Sequence, residues 1–167
     1  MTEKQKLNLD FEKAVRMMAK FMPEPKEDSR KPVLFHDIRV GVYLYENGYS
    51  SDIVLSGVLH DALEFSEISE EMLRVDFGEK ILEIVKANSK DRTIKDSDKR
   101  IEENIWRCVK SGEGALIVKT ADILDSFGHY TATQNENELE YCRKTIEAIK
   151  KHKPENFNDP IFEKLIV

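Results

Sequence analysis

Apolar positions recur at three- and four-residue steps along almost the whole chain, and period-two alternation is nearly absent, so the sequence predicts helices throughout. Phe11, Val15, Met18 and Met22 mark one face of a first helix over about residues 8–22, which stops at Pro23. The polar stretch PEPKEDSRKP, residues 23–32, reads as a loop. A second helix runs from about Val33 to Asn47-Gly48, where glycine adopts the left-handed conformation without a steric cost. Ser50 or Ser51 caps a third, expected to continue unbroken through VLHDALEFSE at 58–67. Ser69 starts a short helix ending near Phe77-Gly78, GEKILEIVKANSK follows as another, and KDRTIKDSDK loops over the surface. A helix from about Ser97 to Lys110, a break at SGEG, the strongly apolar ALIVKTADILDSFGHY, and closing helices at 137–152 and 158–166 complete the chain. The expected class is therefore all-α. With no repeat, linker or low-complexity tract, residues 1–167 are expected to form a single domain.

Composition narrows the setting. The 167 residues are 40% hydrophobic, enough for one core, and 35% charged with a net charge of −6. Acidic and basic residues are interleaved with no basic block, which argues against non-specific binding to nucleic acid or a membrane surface. Cys108 and Cys142 belong to no CxxC or disulfide pattern and read as reduced, packed thiols. The N-terminus MTEKQKLNLD lacks an apolar signal core, and no apolar run approaches the ~18 residues of a membrane span. The expected location is the cytoplasm.

The chemistry concentrates in VLHDALEFSE. On a continuous helix His60 and Glu64 are four apart and Asp61 and Glu64 three apart, so all three project toward one side. An imidazole beside a carboxylate suits a divalent transition metal, but a helical site also needs donors from facing helices. Two occur inside other apolar stretches: His36 in PVLFHDIRV and Asp122 in ALIVKTADILDSF. A buried carboxylate is costly unless paired or metal-bound, which singles Asp122 out from the surface acids. Plain structural roles stand beside each of these. His36 also reads as a hydrogen-bonded core histidine, Asp122 as a partner of Lys119, and Glu64 as a solvated residue. Lys119 reads equally as an exposed ion-pair partner or as a cation near a phosphate. Phe65 reads as core or pocket wall, Trp106 as core, and His129 and Tyr130 as packed or surface groups.

In order and context these residues resemble the HD superfamily of metal-dependent phosphohydrolases, with its pattern of H, HD and D on separate helices. The likeness is strongest to the hydrolase domain of RelA/SpoT-type proteins, including the small alarmone hydrolases. It spans about residues 10–135 and includes Pro32 to His36, LHDALE at 59–64, SEEMLRVDFGEKILEIV at 69–85 and VKTADILDS at 118–126. The resemblance implies a multi-helix HD bundle around a buried metal site, with His36, His60, Asp61 and Asp122 as ligands of Mn²⁺ or a similar divalent ion. It implies a catalytic role for Glu64 in positioning or deprotonating the attacking water, and a nucleotide substrate. Lys26, Arg30, Lys119 and Ser126 are the candidate substrate contacts.

The departures from the family pattern are specific. The family's second acid after the HD pair is Phe65, its Asn four places beyond the last ligand is Ser126, its Tyr after the proline is Val33, and its Pro after the first histidine is Asp37. The family's upstream His and Arg-Lys pair reduce to Lys26, with Arg30 and Lys31 displaced toward His36. Three functions stay open on the sequence. The leading one is guanosine-3′,5′-bis(diphosphate) 3′-pyrophosphohydrolase activity. The others are an HD-type 5′-nucleotidase or related nucleotide phosphohydrolase, and a non-catalytic domain that binds metal or nucleotide. No motif fixes the oligomeric state.

Overall fold

A computed structural model describes residues 1–26 and 30–166; positions 27–29 of the predicted loop lie outside the described residues. Within the described residues there are helices and no strand. They are α1 (Glu3–Phe21), α2 (Val33–Glu46), α3 (Ser51–Leu59), α4 (Ala62–Phe65), α5 (Glu70–Phe77), α6 (Glu79–Asn88), α7 (Ser97–Ser111), α8 (Glu113–Thr133) and α9 (Glu136–His152), followed by a 3₁₀ turn at Pro160–Lys164. None of the described helices is long and apolar enough to cross a membrane.

Local chemistry explains most boundaries. Helix α1 begins earlier than its apolar stripe because Thr2 and Gln5 form a reciprocal capping box. Ser69 accepts from the Met72 N–H to start α5. Gly48, at φ 74°, supplies the left-handed turn after α2 that the Asn47-Gly48 pair predicts. The closing segment forms a single 3₁₀ turn rather than an α-helix, led by Pro160 and capped by Asp159. The largest difference is in the third predicted helix, which stops at Leu59 and resumes at Ala62.

Helix α8 is the hub, packing against α2, α3, α6, α7, α9 and the 3₁₀ turn. Its Leu116, Ile117, Val118 and Ala121 enter a core with Val40, Leu44, Ile105 and Ile146. A second cluster joins α1, α3, α5 and α6 through Met18, Leu59, Leu73 and Leu82. Helix α3 contributes to both, and Val54 to Leu59 are buried on every face. Trp106, expected in the core, is instead 51% exposed beneath Lys110, whose Nζ lies 4.5 Å from the ring centre. The apolar face of α7 is Ile101, Ile105 and Cys108, and Trp106 lies about a quarter turn away from it.

Helices α2 and α3 approach closely because glycines face the crossing. A Cβ on Gly41 would meet Val58 Cγ2 at 2.2 Å, and one on Gly57 would meet Leu44 Cδ1 at 2.5 Å. Valine's methyl is stiff, whereas the leucine tip can swing aside. Gly41→Ala should therefore destabilise the fold by about 1–3 kcal/mol, with Gly57→Ala costing less, as read from urea unfolding midpoints.

Candidate metal centre

The break between α3 and α4 gathers the chemistry. His60 follows the last residue of α3, and Asp61 turns the chain with φ −95° and ψ −1° before α4. The Gly57 carbonyl accepts from His60 Nδ1 at 2.7 Å, so a side chain takes a carbonyl otherwise available to the helix ladder. His60 Nε2 then lies 3.5 Å from Asp61 Oδ2. From α2, His36 brings Nε2 to 3.3 Å from His60 Nε2. From α8, Asp122 brings Oδ1 to 3.0 Å from His36 Nε2 and 3.6 Å from His60 Nε2. Both rings are fully buried, and Asp61 and Asp122 are 6% and 7% exposed.

The partners fix the tautomers. Gly57 O and the Asp125 carboxylate, which is 2.6 Å from His36 Nδ1, can only accept, so both Nδ1 atoms carry hydrogen. While the rings are neutral, both Nε2 atoms are acceptors, crowded against another acceptor, Asp122 Oδ1. Such a cluster calls for positive charge. Lys31 supplies one in this structure, its Nζ lying 2.9 Å from His36 Nε2 and 3.4 Å from Asp122 Oδ1 and donating to Ser126 Oγ. Two imidazole nitrogens and two carboxylates form a donor set that fits a divalent transition ion.

The surrounding charges keep these acids ionised. Burial pushes Asp61 upward, but His60 and Lys31 outweigh both burial and the Asp122 charge and draw it down to about 2. Burial likewise opposes ionisation of Asp122, yet Lys119, Lys31 and His60 hold its carboxyl well below the usual range. Burial draws His60 down, but Asp61 and Asp122 outweigh it and raise its pKa, so the two acids favour a protonated ring. Asp37 behaves oppositely: burial and the adjacent Asp61 charge push it well above the carboxylate range.

Several of these groups were not legible as site residues. Asp125 sits one turn beyond Asp122 and receives two hydrogen bonds of 2.8 Å from Arg39, while also accepting from His36. The only signal for them was spacing: Lys119, Asp122 and Asp125 are at three-residue steps on α8, as are His36 and Arg39 on α2. Lys31 gave no periodic signal because it precedes its helix.

Glu64 is not brought into the cluster. The break before α4 turns it aside, where it accepts from the Lys90 backbone N–H at 2.9 Å and from Arg92, with Lys90 Nζ at 3.8 Å. Lys119 is buried rather than exposed and donates to Asp122 Oδ2 at 3.1 Å. Asp61 and Asp122 open onto a cavity of about 600 Å³ that is also lined by Lys26, Arg30, Lys31, Lys90 and Lys119. Phe65, Ser126 and Tyr130 complete this wall, with Arg92 stacked 5.4 Å from the Phe65 ring centre. Arg30 also faces Glu138 at 3.7 Å. His129 is half-buried outside the cavity, edge-on to Tyr130.

Residues 14–149 match the family model described as HD domain. A probable guanosine-3′,5′-bis(diphosphate) 3′-pyrophosphohydrolase of Mycoplasma pneumoniae is 27% identical over 146 residues, 81% of this chain and 20% of that protein. A guanosine-3′,5′-bis(diphosphate) 3′-pyrophosphohydrolase of Aquifex aeolicus is 24% identical over 126 residues, 74% of this chain and 18% of its own length. The chain thus spans about a fifth of these curated relatives. Among solved structures, a metazoan SpoT ortholog described as hydrolysing ppGpp superposes with a TM-score of 0.70 at 19% identity, covering 93% of this chain and 91% of that one.

The Asp125 contact yields a test. Asp125→Asn removes the charge that orients the His36 ring and should weaken divalent-ion binding by about 10–100-fold, measured by competition with a chromophoric chelator.

Proposed function

The chain belongs to the HD-domain family, and on that premise we propose that it is a metal-dependent phosphohydrolase acting on a nucleotide, with 3′-pyrophosphate removal from guanosine-3′,5′-bis(diphosphate) as its leading reaction. The carrying observation is the opening of two acids of the His/Asp cluster onto a cavity with five basic side chains, in a chain whose net charge is −6. Glu24 and Glu138 line it too, so five cations face four acids, and a divalent ion held by Asp61 and Asp122 would leave the concavity net positive and suited to a polyanionic substrate.

In this reading His36, His60, Asp61 and Asp122 hold the divalent ion, with Mn²⁺ proposed from the mixed nitrogen and oxygen donors. Bound there, such an ion would contribute Lewis acidity toward a phosphoryl oxygen and would make water more acidic. The remaining work falls to the chain. Asp125 keeps the His36 Nδ1 hydrogen in place, so that Nε2 faces the centre. Lys26, Arg30 and Lys90 contribute positive charge to the cavity, and Lys119 and Ser126 stand against Asp122. Glu64 is the proposed proton acceptor, beside the wall formed by Phe65 and Lys90. Its carboxylate must release one of its present donors to take a proton. Residues 1–167 act as one unit in this proposal. The proposed location is the cytoplasm, where free thiols such as the buried Cys108 and Cys142 are usual.

One observation favours a second reading. Phe65 places an apolar ring on the cavity wall where a second acid would mark the alarmone hydrolases, and this suits a 5′-nucleotidase acting on mononucleotides. The products separate the two. Mn²⁺-loaded protein should release pyrophosphate from guanosine-3′,5′-bis(diphosphate), and release only of phosphate from mononucleotides would replace the leading reading with the second. His60→Ala and Asp61→Ala should abolish turnover. Glu64→Gln should lower kcat by about 10²–10⁴-fold while leaving metal content unchanged. Metal or nucleotide binding without turnover on a broad panel would point to a binding domain.

A further inference from the structure

Two histidine–aspartate pairs meet in this structure: His36-Asp37 on α2 and His60-Asp61 at the α3–α4 break. The proposed function uses both histidines and one aspartate. Asp37, the other, is fully buried, and neither of its carboxylate oxygens has a hydrogen-bond partner. It is also close to the chemistry. One donor atom from each of His36, Asp37, His60 and Asp61 lies within 4.8 Å of all the others.

No neighbouring donor serves it. Asp37 Oδ1 is 3.6 Å from His60 Nδ1, but that hydrogen points to the Gly57 carbonyl. The Lys31 ammonium contacts His36, Asp122 and Ser126, and the Lys119 ammonium contacts Asp122 and the Asn88 carbonyl. Arg39 is bound through two nitrogens to Asp125. Backbone donors are out of play as well, because Asp37 is the fifth residue of α2, past the unpaired N–H groups of the first turn. Asp37 caps nothing, and the acid set against its carboxyl is Asp61, so two buried acids face each other and need positive charge between them, as a shared proton or a cation.

We propose that Asp37 is a further ligand of the divalent ion at this centre, its carboxylate joining His36, His60 and Asp61. This rests on reading the centre as a metal site. It adds an anionic oxygen donor to the set, which shifts the centre's preference toward oxygen-seeking ions such as Mn²⁺ relative to Zn²⁺.

Titration of the electron paramagnetic resonance signal of free Mn²⁺ against the full chain tests it without reference to turnover. Asp37→Asn and Asp37→Ser should each bind Mn²⁺ at least about tenfold more weakly than wild type, with a smaller loss for Zn²⁺ in competition. Circular dichroism identifies the folded samples. Unchanged Mn²⁺ affinity in a folded variant overturns the assignment of Asp37 while leaving the metal centre standing. Wild-type protein that binds no Mn²⁺ overturns both. A crystal structure of the Mn²⁺-soaked wild type decides the same point independently of variant folding. An Asp37 oxygen within about 2.5 Å of the ion is expected, and a separation beyond about 3.5 Å overturns the inference.

Discussion

Hydrogen-bond acceptors do not tolerate one another at close range in a protein interior, yet here two imidazole nitrogens and an aspartate oxygen stand 3.0 to 3.6 Å apart. Positive charge among them is the condition on which the arrangement depends, and Lys31 and Lys119 supply part of it. The rest of the structure follows as a means of enforcing the crowding. The Gly57 carbonyl and the Asp125 carboxylate hold the outer nitrogens of the two rings, so the inner ones have one orientation available. Gly41 and Gly57 bring the helices carrying those rings close enough to meet.

The helices themselves were readable from the period of apolar residues, because burying one apolar face is what chiefly holds a helix in place. The break at His60-Asp61 was not. Val58, Leu59, Ala62 and Leu63 keep a helical rhythm straight through it, while His60 takes the Gly57 carbonyl and faces His36 and Asp122, partners that no local window contains. The consequence for Glu64 is direct. Spacing on an unbroken helix puts it beside His60, whereas the turned chain delivers it to Lys90 and Arg92. Trp106 shows the complementary limit: a large apolar residue next to a buried face reads as part of it unless its angular position is tracked.

The site residues divide in the same way. His36, His60, Asp61 and Asp122 stood out because each is an ionisable group inside an apolar run, which is costly without a partner. Lys31 and Arg39 lie at a helix entrance and on a half-exposed face, where charged residues are ordinary. Their importance appears only when the carboxylates they meet are known, since Asp122 and Asp125 both come from α8. Asp37 was visible as a departure from the family pattern, but its lack of a partner is a property of the packed interior alone.

His36 and Asp122 are 86 positions apart in the chain, and the contact between them joins α2 to α8. Closing so long a loop carries an entropic cost that local helix formation does not repay. The centre therefore requires α2, the α3–α4 break and α8 to be packed together, because its donors are divided among those three parts of the chain. An ion bound there recognises the completed topology and adds its binding free energy to that state alone. The same crowding that costs free energy among bare acceptors becomes, with a cation in place, a clamp on the arrangement of these helices.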